Sequence, residues 1–263
     1  MNGLARKMAV ITGASSGIGK ATMERFLVEG TRVVAVSDRA EELDKARDDL
    51  SRLGSIDTVV CDVSRPDQVQ SLAAHVAERG GADVLVNNAG VWNERAFQDI
   101  EFENWQRLLA VNLTGPFLCS QAFVSQMSAR GGGVIVNTAS TNGLVAEPRL
   151  AHYNTTKGGL VMLTQSMAID LAPHHIRVNA VAPGVIYTPL IAHILDAQPS
   201  GHFGGVPLGR VGQASEIASC IAFLASDDAS YVTGSILVCD GGQLAINGAM
   251  PEDQQPAPTS ATS

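Results

Sequence analysis

The sequence predicts an α/β fold: a single-domain, doubly wound parallel sheet of seven strands with helices on both faces. Short apolar runs of strand length alternate with helical patterns, which is typical of parallel strands joined by right-handed crossovers. The first of these runs ends in a glycine cluster. The 263 residues, 45% hydrophobic and 17% charged, suffice for a core on each side of the sheet. We expect one domain over residues 1–248 and a disordered, polar and proline-bearing tail over residues 249–263.

The N-terminal segment predicts a strand, a glycine turn and a helix. Residues 8–11 are apolar, residues 12–19 read TGASSGIG, and a helical pattern follows. In such a unit Gly13 permits a tight turn, Gly17 lets the backbone approach a pyrophosphate, and Gly19 allows close helix packing. The helix N-terminus would face the phosphates. The predicted dinucleotide-binding turn comprises Gly13, Ser15, Ser16, Gly17, Ile18 and Gly19.

The second predicted strand, residues 32–37, ends at an acidic residue. Asp38 lies 19 residues beyond Gly19, the distance at which a carboxylate meets the adenosine ribose in such folds. A carboxylate accepts hydrogen bonds from a free 2′-hydroxyl and repels a 2′-phosphate, so Asp38 favours NAD over NADP. Arg39 leaves the alternative open, because a guanidinium can clamp a 2′-phosphate, although the glycine turn supplies no second cation.

The third and fourth predicted strands also end in residues suited to a cofactor. The third, residues 58–61, delivers Asp62 and Val63 to its carboxyl end, near the expected adenine edge. Alternatively, Asp62 caps the helix that contains Pro66. The fourth, residues 83–86, is followed by residues that leave room beside a flat cofactor, namely Asn88, Ala89 and Gly90.

The fifth predicted strand and the helix after it supply a serine, a tyrosine and a lysine. The strand covers residues 134–136, so Ser140 would lie at its carboxyl end, where α/β sheets bind ligands. Tyr153 and Lys157 are four residues apart and share one helix face, and the helical pattern covers residues 154–171. An adjacent ammonium favours the phenolate and lowers the tyrosine pKa, which suits acid–base chemistry. Taken alone, such a pair also occurs on ordinary helix surfaces.

The C-terminal third predicts a turn over the nicotinamide and a segment that covers the substrate. A sixth strand over residues 177–181 leads into Pro183 and Gly184, which turn the chain. Residues 189–212 are rich in glycine and proline, and we expect them to form a mobile substrate lid or, alternatively, a plain surface loop. The last predicted elements are a helix over residues 214–224 and a seventh strand over residues 234–238.

Composition argues against several classes of function. The net charge is −8 and no basic run occurs, so the charge pattern of a protein that binds nucleic acid or an anionic membrane is missing. The four cysteines stand singly without metal-ligand spacing, so we expect reduced thiols and no metal. We expect no secretory segment and no apolar run of transmembrane length. These features predict a cytoplasmic enzyme.

Together the motifs resemble the short-chain dehydrogenase/reductase family, in its subgroup of single-domain enzymes of roughly this length. The resemblance covers nearly the whole chain. Its marks are TGASSGIG at residues 12–19, NNAG at 87–90, Asn112, Ser140, YNTTK at 153–157, and Pro183 with Gly184. It implies a Rossmann fold with strand order 3-2-1-4-5-6-7 and reversible hydride transfer between a nicotinamide cofactor and a secondary alcohol or carbonyl.

The resemblance also implies residue roles. Tyr153 would be the catalytic acid/base, Lys157 would lower its pKa and bind the nicotinamide ribose, and Ser140 would orient the substrate oxygen. Asn112, in a predicted helix over residues 103–127, would hold a water that links Lys157 to solvent. The residues implied at the nicotinamide end are Pro183, Gly184, Ile186 and Thr188. A homotetramer is implied too, formed partly by the helices that begin at Glu103 and Asn154.

The substrate would be a small molecule whose identity the sequence leaves open. Polar and aromatic candidates for its pocket suit a sugar or cyclic diol and equally a ring ketone; they are Trp92, Asn93, Asn142, Leu144, Glu147, His152, Tyr187, His193 and Phe203. Two other functions remain. One is an NADPH-dependent 3-oxoacyl-carrier-protein reductase, against which Asp38 and the acidic balance argue. The other is a nucleotide-sensing regulatory protein without turnover, against which the complete set of catalytic residues argues.

Overall fold

A parallel sheet of seven strands forms the centre of the protein, as predicted. The computed structural model describes residues 1–196 and 205–246. The strands of the main sheet are β1 (Met8–Thr12), β2 (Arg32–Ser37), β3 (Ile56–Val60), β4 (Val84–Asn87), β5 (Gly133–Thr138), β6 (Ile176–Pro183) and β9 (Ile236–Cys239), while β7 (Ile186–Tyr187) and β8 (Gly212–Gln213) pair separately. The order β3-β2-β1-β4-β5-β6-β9 confirms the expected 3-2-1-4-5-6-7, since β9 is the seventh strand of the main sheet.

The strand order reverses beside β1. Ala9 of β1 pairs with Val33 of β2 on one side and with Val84 of β4 on the other, and both pairings are parallel. The loops that follow β1 and β4 therefore leave the sheet side by side. In open α/β sheets the crevice at this reversal is where ligands bind.

Helices cover both faces of the sheet and enclose two cores. They are α1 (Gly17–Val28), α2 (Ala40–Leu50), α3 (Pro66–Ala77), α4 (Phe102–Leu109), α5 (Gly115–Ala129), α6 (Ala151–Leu171), α7 (Ala192–Leu195) and α8 (Ala214–Ala225). One core contains residues of α1, α2 and α8, and the other contains residues of α3, α5 and α6. Successive residues of β1 alternate between them: Ala9 and Ile11 lie in the first, Met8 and Val10 in the second.

The long helix predicted over residues 103–127 is interrupted by a π-helical segment, Ala110–Thr114. Pro116 lies just beyond this segment and has no backbone N–H to donate to the carbonyl of Asn112, so regular α-helical bonding cannot run through it. Single π-turns inside α-helices are frequent at functional sites. The interruption therefore marks the position of Asn112, which the sequence predicted only as a residue inside a continuous helix.

The expectation that no apolar run reaches transmembrane length is wrong for one segment. Residues Phe102–Ala129 are long and apolar enough to cross a membrane, with a mean hydropathy of 1.3 over an 18-residue window, of which 44% is buried. Cys119, Phe123 and Met127 of this segment are fully buried against the sheet. Such burial explains the apolar character of this segment as that of a core helix.

Several element boundaries differ from the predicted ones for local reasons. The seventh strand begins at Ile236 rather than residue 234, because Gly234 has a φ of +72° and turns the chain. Helix α6 begins at Ala151, so Tyr153 lies inside it. The apolar patch predicted over residues 190–195 forms only the short α7. Phe203, part of the expected lid and the expected disordered tail lie outside the described residues.

Candidate active site

The glycine turn after β1 brings three glycines into close packing. Gly13 and Gly17 have φ values of +66° and +52°, in the left-handed region that favours glycine. A Cβ on Gly19 would overlap the carbonyl oxygen of Gly13 and lie 2.6 Å from the Asn88 side-chain nitrogen. The turn is thus held against the end of β4, and none of the three positions has room for an unstrained side chain.

Thr12 and Asn88 tie the ends of β1 and β4 together. The backbone N–H groups of Asn88 and Ala89 both donate to Thr12 Oγ1 at 3.0 Å. Asn88 Nδ2 donates in return to the carbonyl of Thr12 at 3.1 Å. Asn88 was predicted from the sequence as one of the residues that leave room beside a cofactor. The role of Thr12 was not predicted, because it depends on the pairing of the two strands.

The N-terminus of α1 lies beside the segment that follows β7. Within the described chain, the Ser16 side chain makes no capping bond to α1, so it does not occupy the first-turn N–H groups that attract anions. Thr188, from the segment after β7, lies against this turn, since a Cβ on Gly17 would approach its side chain within 3.3 Å. The structure therefore brings Thr188 next to the glycine turn, 171 positions earlier in the sequence.

Asp38 and Arg39 point to different neighbours after β2. Asp38 is about half exposed, and its carboxylate lies 3.9 Å from a guanidinium nitrogen of Arg107 in α4. Arg39 instead pairs with Glu42, at 3.0 and 3.3 Å, on the exposed surface of α2. The cation that the sequence placed beside Asp38 is thus engaged elsewhere, and a cation that the sequence did not suggest lies near it.

Asp62 is not the N-cap of α3, because Arg65 occupies that position. Asp62 Oδ1 accepts hydrogen bonds from the Ser64 backbone N–H at 2.9 Å and from its hydroxyl at 2.6 Å, which orders the turn before the helix. Although burial raises it, these bonds and the pairing with Arg107 hold the pKa of Asp62 below its ordinary value. The neighbouring Val63 is buried against Gly115, where a Cβ would come within 2.8 Å of its side chain.

Ser140, Tyr153 and Lys157 come together where β5 ends beside α6. Lys157 Nζ donates to the Thr138 carbonyl at 2.8 Å and lies 5.6 Å from the centre of the Tyr153 ring. Ser140 Oγ donates to the Asn142 side-chain oxygen at 3.1 Å, and the Ser140 hydroxyl is near enough to Tyr153 to lower the pKa of the phenol. Lys157 and Ser140 are buried, whereas Tyr153 remains partly exposed. A hydroxyl, a phenol and an amine thus share one small site.

The side chain of Asn112 holds the loop after β4. Its oxygen accepts from the Val91 N–H at 2.8 Å, and its nitrogen donates to the Val91 carbonyl at 2.8 Å and to Thr156 Oγ1 at 3.3 Å. A Cβ on Gly90 would lie 3.4 Å from the Asn112 oxygen and 4.0 Å from Lys157 Nζ. The amide is therefore occupied by the protein itself, next to the lysine.

A buried polar chain beneath the site links β4, β5 and α6. Asn87 Nδ2 donates to Asn137 Oδ1 at 2.9 Å, and Asn137 Nδ2 donates to Thr164 Oγ1 at 2.8 Å. All three side chains are essentially inaccessible to solvent. Since buried polar groups are costly unless paired, this chain specifies how α6 sits on the sheet and hence where Tyr153 and Lys157 lie.

The turn expected at the nicotinamide end follows β6. Gly184 donates to the Cys239 carbonyl at 3.1 Å, and a Cβ on it would come within 2.8 Å of Asp240. Thr141 Oγ1 donates to the Pro183 carbonyl at 3.3 Å. Ile186 in β7 is buried. Of the four residues expected here, Thr188 is the one that lies against the glycine turn, near Gly17.

Comparison with known proteins identifies the family. Residues 13–243 match the family model described as enoyl-(acyl carrier protein) reductase. The chain is 40% identical over 238 residues to the 3-oxoacyl-[acyl-carrier-protein] reductase FabG of Thermotoga maritima, covering 90% of this chain and 97% of the relative. It is 41% identical to the cis-4-hydroxycyclohexanecarboxylate dehydrogenase of Sinomonas cyclohexanicum, covering 92% and 98%. A crystal structure of a short-chain type dehydrogenase/reductase from Mycobacterium marinum matches with a TM-score of 0.87 at 39% identity, covering 91% and 96%. The chain belongs to the short-chain dehydrogenase/reductase family.

In this short-chain dehydrogenase/reductase the structure corrects the expected pKa of Tyr153. Burial raises the pKa of Tyr153 to about 12, and the hydrogen bond with Ser140 only partly offsets this effect. Burial likewise lowers the pKa of Lys157 to about 8. The sequence-based expectation considered only the attraction between ammonium and phenolate. Withdrawal of both groups from water favours their neutral forms instead, while Lys157 points toward the Thr138 carbonyl.

The depressed pKa of Lys157 predicts that folding stability rises between about pH 8 and pH 10. Over this interval the unfolded chain still binds the lysine proton, whose ordinary pKa is 10.5, while the folded chain has released it. The free energy of unfolding of the wild type should therefore rise by about 2 kcal/mol relative to Lys157→Met. Urea unfolding of both proteins at pH 7.5 and 9.5 measures the difference. Parallel pH dependences would mean that Lys157 titrates normally.

Some of the substrate-pocket candidates are held by hydrogen bonds within the site, and others are exposed. His152 is fully buried, and its Nε2 lies 2.6 Å from Asn93 Oδ1, so this contact joins the loop after β4 to α6. Burial lowers the pKa of His152. Asn142 Nδ2 donates to Asn154 Oδ1 at 3.0 Å, within the same region. Leu144 and Tyr187 are exposed. Of the remaining described candidates, Trp92 and Glu147 lie on loops and His193 lies in α7.

Proposed function

We propose that this family member transfers hydride between NAD(H) and a secondary alcohol or ring ketone, with Tyr153 as the general acid/base. The observation that carries the proposal is the meeting of Ser140, Tyr153 and Lys157 at the carboxyl end of β5. The crevice beside the glycine turn lies next to them, because a Cβ on Gly90 would lie 4.0 Å from Lys157 Nζ and the neighbouring Ala89 donates to Thr12 Oγ1.

The residues at the reversal of strand order fit a nicotinamide dinucleotide. The glycine turn excludes side chains where a pyrophosphate would approach, and the Ser16 side chain leaves the N-terminus of α1 to a ligand in the described structure. We assign the phosphates to residues 13–19 and the adenosine to Asp38, Asp62 and Val63. We assign the nicotinamide riboside to the remaining predicted residues: Asn88, Ala89, Gly90, Tyr153, Lys157, Pro183, Gly184, Ile186 and Thr188. When bound, the cofactor gives or accepts the hydride.

The protein's own contribution is to move a proton and to hold the substrate oxygen. With its pKa raised by burial, Tyr153 is a phenol, which is the form that donates a proton to a carbonyl oxygen. The Ser140 hydroxyl lies near Tyr153, so it can donate to the same oxygen and orient it. In the reverse direction Tyr153 first passes its own proton to Lys157, and the resulting phenolate accepts the proton of the substrate hydroxyl.

A proton that leaves Tyr153 must be replaced from solvent, and we assign this supply to Lys157 and Asn112. Lys157, with its pKa near 8, can gain and lose a proton under mild conditions. The Asn112 amide is occupied by Val91 and Thr156, so its backbone carbonyl is the group we assign to hold the relay water. Pro116 supports this assignment because it has no N–H to donate to that carbonyl.

Asp38 supports NAD as the preferred cofactor. Its half-exposed carboxylate would accept from a 2′-hydroxyl and repel a 2′-phosphate, while Arg39 is paired with Glu42. We expect NADH to bind about tenfold more tightly than NADPH, and Asp38→Asn to lose most of this preference. Titration of cofactor fluorescence with both proteins tests it. Equal affinities in the wild type would contradict the assignment.

We propose cyclic secondary alcohols as the first substrate class to test. The pocket candidates combine aromatic and polar groups, and a relative at 41% identity is by name a dehydrogenase of a hydroxycyclohexane carboxylate. The experiment follows absorbance of reduced cofactor with a panel of cyclic alcohols, cyclic diols, sugars and acyclic secondary alcohols, using NAD or NADP. Turnover of acyclic alcohols but of no cyclic substrate would reject this class.

A 3-oxoacyl-carrier-protein reductase is the second candidate, because a relative at 40% identity bears that name. Its substrate would arrive on an acidic carrier protein, whereas this chain has a net charge of −8. Oxidation of NADPH by an acetoacetyl thioester, but not by ring ketones, would favour this candidate. Cofactor binding without any turnover would instead point to the regulatory role.

We also propose that the protein acts as a cytoplasmic homotetramer on small molecules. Large apolar side chains are exposed along the helices expected to pair, namely Phe102, Phe117, Met162 and Ile169. Exposed apolar surface of this kind is suited to contact with another copy of the chain. Light scattering after size-exclusion chromatography gives the assembly mass, and a monomer would refute the proposal.

A further inference from the structure

Arg107 of α4 lies between two carboxylates that follow neighbouring strands. Its Nη1 donates to Asp62 Oδ2 at 3.2 Å and to Ser64 Oγ at 3.3 Å, and its Nη2 lies 3.9 Å from Asp38 Oδ2. Asp38 and Asp62 emerge side by side because Ser37 at the end of β2 pairs with Val60 at the end of β3. A helix distant in sequence thus contributes a cation to the edge where the adenosine is assigned.

The position of Arg107 changes how strongly the charge of Asp38 repels a 2′-phosphate. A carboxylate discriminates against a 2′-phosphate through its negative charge, and a guanidinium at 3.9 Å offsets part of that charge. Arg107 is also about half exposed, so its side chain can turn toward a ligand without leaving a buried charge. Its planar fork binds phosphate oxygens as readily as carboxylate oxygens.

Arg39 is a second arginine near this edge, and its side-chain contacts point away from the carboxylate pair. It makes two hydrogen bonds to Glu42 at 3.0 and 3.3 Å on α2, and its own side chain is 67% exposed. By contrast, Asp38 Oδ2 lies 3.9 Å from Arg107 Nη2. The two arginines therefore offer a matched comparison of the same chemical group, one toward the carboxylate pair and one away from it.

We propose that Arg107, and not Arg39, limits how strongly this protein selects NAD(H) over NADP(H). The inference rests on the proposed dinucleotide site. In this role Arg107 weakens the repulsion between Asp38 and a 2′-phosphate and supplies a cation to that phosphate. It is thus a specificity-determining residue that makes its contact at the adenosine end, away from the reacting atoms.

The test separates the adenosine end from the chemistry by using ADP and 2′,5′-ADP as ligands in isothermal titration calorimetry, with NADH and NADPH fluorescence titrations alongside. Arg107→Gln should raise the Kd of 2′,5′-ADP and of NADPH about tenfold while changing that of ADP and NADH less than about threefold. Arg107→Lys should recover part of this loss because the charge is retained. Arg39→Gln should leave the ratio of the two affinities unchanged.

Four outcomes would overturn the inference. A shift in selectivity caused by Arg39→Gln would transfer the role to that residue. An equal loss of both ligands in Arg107→Gln, not relieved by Arg107→Lys, would mean that Arg107 only supports the fold of the site. Failure of the wild type to bind either NADH or NADPH would refute the proposed function as well, whereas normal binding with unaltered selectivity would refute this inference alone.

Discussion

Replacing Tyr153 with phenylalanine is expected to lower kcat by at least about 10³-fold while the Kd for NADH stays within about threefold of the wild type. The substitution removes one hydroxyl group and keeps the ring, whose centre lies 5.6 Å from Lys157 Nζ. General acid–base catalysis is lost, whereas the glycine turn and Asp38, which we assign to the cofactor, are untouched. Steady-state turnover of the best substrate from the panel and titration of NADH fluorescence measure the two quantities.

The matched control for this substitution is Tyr231→Phe, the same chemical change at a residue that is fully exposed. It should retain wild-type turnover. If Tyr153→Phe folds, binds NADH and still turns over at more than about one tenth of the wild-type rate, another group must supply the proton. Loss of NADH binding together with turnover would instead assign Tyr153 mainly to the cofactor site.

Gly19→Ala is expected to abolish measurable cofactor binding and to destabilise the protein by about 1–3 kcal/mol. The new methyl group would overlap the Gly13 carbonyl oxygen and crowd the Asn88 side chain at 2.6 Å. Asn88 donates to the carbonyls of Thr12 and Gly13, so displacing it also disturbs the junction between β1 and β4. Urea unfolding and NADH titration of the same preparation test both parts of the prediction.

A glycine in another helix gives the control. Gly158 lies in α6, and a Cβ there would meet the Gly143 carbonyl oxygen at 3.7 Å, an ordinary contact. Gly158→Ala should therefore leave stability unchanged or raise it by up to about 1 kcal/mol, since alanine favours the helix. Wild-type affinity for NADH in Gly19→Ala would show that the turn can move aside without loss of its function.

The seven-stranded parallel sheet and the glycine turn were predictable because they follow from local patterns, whereas the strand order was implied by the resemblance to the family. Apolar runs of strand length separated by helices allow few arrangements, and residues at the carboxyl ends of parallel strands must meet at one edge. The glycines at 13, 17 and 19 carry their constraint in their own backbone or in the absence of a Cβ. The roles of Thr12, Arg107 and the Asn87–Asn137–Thr164 chain were not predictable, because each depends on partners distant in the sequence.

The sequence by itself determined which chemical groups are available and along which strands they are delivered: an acidic residue after β2, a serine after β5, and a tyrosine and lysine one turn apart on α6. These follow from spacing, since the periods of strands and helices are set by backbone geometry. Only the tertiary structure decided their electrostatic surroundings. It brought Arg107 to Asp38 and buried Lys157 beside a partly exposed Tyr153. Charge interactions and hydration depend on distances through space and on burial, and neither quantity can be read from separation along the chain.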